Sequence, residues 1–165
     1  MTSIASVTTR ALMDLLTANP GVAGRVAERL RESNQPVTEL AAPRVVEGYA
    51  AAELMDRAQG GPYPQISVYC ERVRNSLREK FNRFSGTVDL VVEVRHSQDR
   101  LEELQPRTQM FSEAVVAVLD DARGDWAEGI YYTGEYEIKF EPVRHGGRNF
   151  LQVARVRVPV EARVN

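Results

Sequence analysis

From Gly124 to Val160 the chain alternates apolar and polar residues in two runs joined by a glycine-rich segment, and few folds accommodate that pattern. Ile130, Tyr132, Tyr136, Ile138 and Phe140 alternate with Tyr131, Thr133, Glu135, Glu137 and Lys139. After Val143-Arg144-His145-Gly146-Gly147-Arg148 the chain returns with Phe150, Ala154, Val156, Val158 and Val160 on one side. Arg155, Arg157 and Glu161 fall on the other. Successive side chains of a strand point to opposite faces, so a period of two with one reversal predicts a long, half-buried antiparallel hairpin. Gly146-Gly147 predicts the hairpin turn, where positive φ is needed, and not a phosphate cradle. No helix follows it, and neither Walker nor dinucleotide spacing is present.

Upstream, Ile4, Val7, Ala11, Leu12, Leu15 and Leu16 form a helical stripe over residues 2–17, with Thr2 or Ser3 as N-cap, and Asn19-Pro20-Gly21 breaks it. Val22, Val26 and Leu30 predict a second helix. Four prolines and Gly60-Gly61 punctuate residues 34–64, which read as loop with one short helix over Ala50–Arg57. Ile66, Val68 and Cys70 alternate with Ser67 and Tyr69, a strand. Residues 71–84 fit two readings. Val73, Leu77, Phe81 and Phe84 are spaced as on a helix, and they equally extend a strand into a charged hairpin. Ser85-Gly86 predicts a turn, Val88–Arg95 a strand, and Ser97 the cap of a helix with the stripe Leu101, Leu104, Phe111, Val115, Val118 and Leu119. Pro106 predicts a break or kink near Gln105, and Gly124 the end of that helix. Paired strands with helices between the pairs predict an α+β fold: an antiparallel or mixed sheet, helices on one face, and the long C-terminal hairpin.

The 165 residues suit a single domain large enough to bury its own core, here 1–165 with an irregular insertion at about 34–62. A net charge of -2 indicates neither a global nucleic-acid binder nor a membrane-surface protein. Cys70 is the single cysteine, which excludes an intramolecular disulfide and a thiolate cluster and favours a reducing compartment. No secretory signal opens the chain, and no apolar run approaches the roughly 18 residues of a membrane span.

Candidate chemistry is sparse. His96 and His145 are the only near-neutral titrating side chains, and neither has a nearby nucleophile in a catalytic arrangement, so both read as surface residues. Asp120, Asp121, Asp125 and Glu128 lack the alternating spacing of a calcium loop and read as a solvated loop or as an acidic patch meeting a basic neighbour subunit. Arg72, Arg74, Arg78, Lys80 and Arg83 outnumber Glu71 and Glu79, giving a locally basic run. It suits a charged contact between subunits, a solvated face, or less well a nucleic-acid surface with Tyr69, Phe81 and Phe84. Trp126, Tyr131, Tyr132 and Tyr136 divide between core and interface. No catalytic, cofactor-binding or metal residues are assigned.

The order of these segments is itself distinctive. Tyr63-Pro-Gln-Ile-Ser-Val-Tyr69, the charged stretch to Ser85-Gly86, the strand Val88–Arg95 ending at His96-Ser97 and the helix Leu101–Leu119 precede Gly129-Ile-Tyr-Tyr-Thr-Gly-Glu-Tyr136 and a closing strand. In this order, over residues 1–16 and 62–162, the chain resembles the tail terminator proteins of long-tailed bacteriophages, the minor tail protein U type. The likeness rests on order and pattern, without an invariant motif. It implies a non-enzymatic virion subunit, assembled in the host cytoplasm, whose hexameric ring caps the head-proximal end of the tail tube. Such a ring ends tube growth and offers the head-joining surface. The implied partners are copies of itself, the tube protein and a connector or stopper protein, with DNA passing through the channel unread.

Within that expectation three regions are candidate interfaces: the hairpin Glu135–Arg157 with Arg144, Arg148, Arg155 and Arg157; the run Arg72, Arg74, Arg78 and Arg83; and the acidic Asp120, Asp121 and Asp125. Another neck component, such as a head-completion or stopper ring, shares most of these features. A small ligand-binding or DNA-binding domain is the reading from a different class.

Overall fold

The computed structural model describes residues 3–35, 42–48, 63–146 and 149–165. The predicted helix Ala50–Arg57, the turn residue Gly147 and the candidate Arg148 lie outside the described residues.

The apolar stripe of the N-terminal segment makes α1 (Ile4–Thr17), which buries Leu12 and Leu16. Ser3 takes the N-cap position without a side-chain capping bond, its carbonyl accepting from the Val7 amide at 3.0 Å. Helix α2 (Gly21–Glu32) buries Val22, Val26 and Leu30, one residue per turn on a single face. Helix α3 (Leu101–Asp121) turns Leu104, Thr108, Phe111, Val115 and Leu119 inward. The predicted break at Pro106 does not occur: α3 continues through it. A mid-helix proline costs about 3 kcal/mol, and burial of Phe111, Val115 and Leu119 at roughly 1.5–3 kcal/mol each exceeds that. Ser97 is not the cap either. It remains in a strand opposite Leu151, because the neighbouring strand keeps offering hydrogen-bond partners, and Arg100 occupies the N-cap. The helix stops at Asp121, and Gly124 already begins the next strand.

Among the described residues eight strands form one mixed sheet: β1 (Arg44–Glu47), β2 (Gln65–Asn75), β3 (Phe84–Gln98), β4 (Gly124–Ala127), β5 (Ile130–Tyr132), β6 (Glu137–Phe140), β7 (Arg144–Gly146) and β8 (Asn149–Val164). The lateral order is β1-β2-β3-β8-β5-β4, with β6 and β7 also on β8. All pairings are antiparallel except β1 with β2. Strand β1 falls in a stretch expected to be loop. Its β-branched Val45-Val46 completes a ladder along Gln65–Val68.

The long hairpin is present, with its first arm in pieces. Ile130 lies opposite Ala162 but Glu137 opposite Arg157, so the register slips by two between β5 and β6, and residues 133–136 bulge out. The second arm, β8, is one strand of 16 residues. Residues 71–84 resolve as strand to Asn75, then an irregular tip. Ser85-Gly86 is no turn: it lies in β3, paired with β2. Only glycine fits at 86, where a Cβ would collide with the Arg74 carbonyl oxygen.

Helix α3 packs on β3 and β8, α1 on β1 and β2, and α2 on α1 and α3, all on one side of the sheet. The core therefore sits between Leu12, Leu16, Phe111, Val115 and Leu119 and the strand residues Ile66, Val68, Leu90, Val92, Val156 and Val158. The opposite face is left for polar residues.

Candidate assembly interface

Strand β2 outlasts β1. From Cys70 onward its outer edge has no strand beside it among the described residues, and Glu71–Asn75 are exposed. The tip beyond is held by its ends: the Asn75 side chain accepts from the Leu77 amide (3.2 Å) and the Ser85 amide (3.1 Å), while the Ser76 amide donates to the Ser85 carbonyl (3.0 Å). Leu77 takes a left-handed φ of 47°, unusual for a bulky residue. Phe81 is 98% exposed, with Leu77 and Val73 also at the surface. The four arginines proposed here differ in kind. Arg72 donates from Nε to Asp89 at 2.7 Å, and Arg78 reaches Glu161 at 3.5 Å. Arg74 and Arg83, with Lys80, stand exposed and make no ion pair among the described residues.

The other lateral edge is acidic. Residues 124–138 contain Asp125, Glu128, Glu135 and Glu137 and no basic residue, and all four carboxylates are exposed. Strand β4 is outermost there, and Gly129 makes the tight β4–β5 turn at φ 75°. Tyr131 and Tyr136 are exposed, whereas Tyr132 is buried 5.0 Å from the Trp126 ring. Burial, then Asp120, pushes the Tyr132 hydroxyl up to about 12. The Trp126 indole N–H donates to the Ala122 carbonyl at 2.7 Å. Asp120 and Asp121 are already engaged, by Arg123 at 3.3 Å and by Arg25 of α2. Of the three predicted aspartates, Asp125 alone is without an ion pair among the described residues.

Arg155 and Arg157 project onto the polar face of the sheet, into a cleft of about 720 Å³ shared with Tyr69, Cys70, Glu71, Val91, Glu137 and Lys139. Strands β2, β3, β8 and β6 all contribute to its lining. Its floor is a charge network absent from the sequence reading. Glu93 is 1% exposed and accepts from Arg95 Nε (2.6 Å), Arg155 Nε (3.0 Å) and the Tyr69 hydroxyl (3.3 Å). Arg155 also meets Glu141, and Arg157 meets Glu71 at 2.9 Å. Burial, then the Glu93 charge, pushes the Tyr69 hydroxyl up to about 12, and burial raises the Cys70 thiol, so both are neutral donors at pH 7. The missed signal was phase: Asp89, Glu93 and Arg95 share one parity on β3, and Arg155 and Arg157 lie opposite that parity on β8.

Arg144 is exposed on β7, opposite Leu151, at the far end of β8 from the β2–β3 tip. Thirteen residues of strand, roughly 40 Å, separate the two ends. His145 is exposed with its ring 5.2 Å from Phe150. His96 overturns its surface assignment. It is 5% exposed because β3 extends past it, with its ring edge-on to Phe111 at 5.2 Å. Its Nε2 lies 3.2 Å from Gln98 Oε1, and its Nδ1 has no partner among the described residues. Burial lowers its pKa below the ordinary 6.5, against the Gln98 contact, with nearby Arg107 adding to the lowering.

Among the described residues no three His, Cys, Asp or Glu side chains gather as a metal-binding group, and no helix is long and apolar enough to cross a membrane. Compared with known proteins, the chain matches no family model and no curated relative.

Proposed function

We propose that this chain is a structural virion subunit of the tail-terminator kind. Copies close into a ring, hexameric in that pattern, on the head-proximal end of a phage tail tube. The ring ends tube growth and presents the surface to which a connector or stopper protein joins, and DNA passes through without base-specific contact. One observation carries the reading: the two lateral edges of the sheet are unlike. Beyond the short β1, one edge is basic, from the end of β2 and the β2–β3 tip, and the other is acidic from β4 to Glu137 at the start of β6, before Lys139 and Arg144. A surface that complements a different surface of its own copy makes heterologous contacts, which close into rings when the rotation allows. Opposite charge then sets register and suppresses wrong pairings. The succession of helices, strand pair, long helix and C-terminal hairpin also follows the order on which the terminator resemblance rests.

Electron microscopy of phage particles assembled without this gene tests the reading. The expected product is overlong tails without heads. Normal-length tails beside unjoined, DNA-filled heads would move the chain to a head-side neck ring. Intact, infectious particles would sink the morphogenetic reading.

A further inference from the structure

We propose that one buried water molecule joins β3 to β8 beneath α3, donating one hydrogen to His96 Nδ1 and the other to Gln152 Oε1. The inference concerns the interior of a single chain and is independent of the ring reading.

His96 and Gln152 stand directly opposite each other in the β3–β8 ladder. Both share the parity of the helix-facing Val94 and Val156, and they are 5% and 3% exposed. Side chains opposed in this way start from Cβ atoms about 4.5–5.5 Å apart. Each residue has one polar atom bonded. The other, Nδ1 of His96 and Oε1 of Gln152, is buried with no partner among the described residues. Two such atoms on one cross-strand pair point to a single shared ligand.

The bonds already made fix the chemistry of both atoms. Arg107 Nη1, which can only donate, meets Gln98 Oε1 at 3.1 Å, so the atom facing His96 Nε2 at 3.2 Å is an acceptor. Nε2 therefore carries the proton. Burial, against the Gln98 contact and helped by Arg107, lowers the His96 pKa, so at pH 7 the ring is neutral and Nδ1 keeps its lone pair. On β8, Gln152 Nε2 donates to the Glu141 carbonyl oxygen at 3.2 Å, which leaves Oε1 to accept.

Two acceptors cannot satisfy each other, and whatever joins them must donate twice. The buried hydroxyls on either side of Phe111, whose ring meets His96 edge-on, are already spent. Thr108 donates to the Leu104 carbonyl oxygen and Ser112 to that of Thr108, both at 2.9 Å. Water is the small neutral molecule with two donors, and buried waters ordinarily serve such atoms, making about two to four hydrogen bonds each. A proton on Nδ1 would also join the pair, but it would place a charge in a buried site near Arg107. The water completes a hydrogen-bonded chain from Arg107 of α3 through Gln98, His96 and Gln152 to the Glu141 backbone.

The test is a crystal structure of the full chain at pH 7, at a resolution that shows ordered water. One water is expected within roughly 2.7–3.2 Å of both Nδ1 and Oε1. No water there, a water touching only one of the two, or a protein donor on either overturns the proposal. Two-bond proton–nitrogen NMR spectra of His96 at pH 7 are expected to show the Nε2–H tautomer, and the Nδ1–H tautomer overturns it. In urea unfolding, His96→Leu and Gln152→Leu are each expected to lower the folding equilibrium constant by roughly tenfold. The double variant should lose clearly less than the product of the two, because no acceptor is then left stranded. Fully multiplicative losses overturn the shared ligand, and the crystal and tautomer readouts decide the matter if a variant does not fold.

Discussion

The two faces of β3 are equally hidden and chemically opposite. Val88, Leu90, Val92 and Val94 on the helix side are fully buried, and on the other side Glu93 and Arg95 are 1% and 2% exposed. The first face is stabilised by removing hydrocarbon from water, a non-directional effect that tolerates conservative exchange. The second requires geometry, since a buried charge is tolerable only when paired and hydrogen-bonded. Glu93 meets that condition by accepting from residues on three strands. Burial alone therefore does not say what a position needs; the partners do.

Three changes would break or sharpen that contrast. The largest effect is expected from Glu93→Ala, which leaves Arg95 and Arg155 facing each other without their shared carboxylate. A loss of about 3–5 kcal/mol in urea-unfolding free energy is expected, and a loss under 1 kcal/mol would show that the network is better solvated than its burial implies. On the opposite face Ile66→Val, which removes one methylene from the core, is expected to cost about 0.5–1.5 kcal/mol by the same measurement. A cost equal to that of Glu93→Ala would erase the distinction between the faces.

The smallest effect belongs to His96, whose folded pKa lies below the ordinary 6.5 because of burial. As pH falls below 6.5 the unfolded chain takes up a proton that the folded chain refuses, so stability is full above that value and declines beneath it. Unfolding midpoints measured from pH 7 to 5.5 are expected to fall for the native chain. The decline should be shallower in His96→Leu, and parallel curves would show that the ring finds a proton acceptor when charged.

Much of the architecture was legible. The parity of Val156, Val158 and Val160 against Arg155 and Arg157 predicted both the hairpin and which side of β8 faces the helices, because a strand's side chains alternate whatever surrounds them. The charged segment after Tyr69 was not decidable, since Val73, Leu77, Phe81 and Phe84 satisfy a helical spacing as well as a strand. The ladder of Arg72–Asn75 with Gly86–Asp89 decided it, and such pairing depends on a partner strand. The same cause explains why Ser97 is no cap and why Pro106 does not break the helix: a continuing ladder and a packed helix face outweighed both local signals. Of the proposed interface residues, Arg74, Arg83 and Asp125 proved exposed and without ion pairs among the described residues. Arg72, Arg155, Arg157, Asp120 and Asp121 proved to be held within the chain.

By itself the sequence determined what is local or periodic: the helical stripes, the alternating strands, and the exclusion of an internal disulfide by a single cysteine. Only the tertiary structure decided which charges are spent inside the molecule and which remain for a partner. Arg155 meets Glu93 across 62 residues of chain, and Arg25 meets Asp121 across 96. Those distances close only when strands take register and helices pack, and neither residue carries a mark of its partner in the sequence.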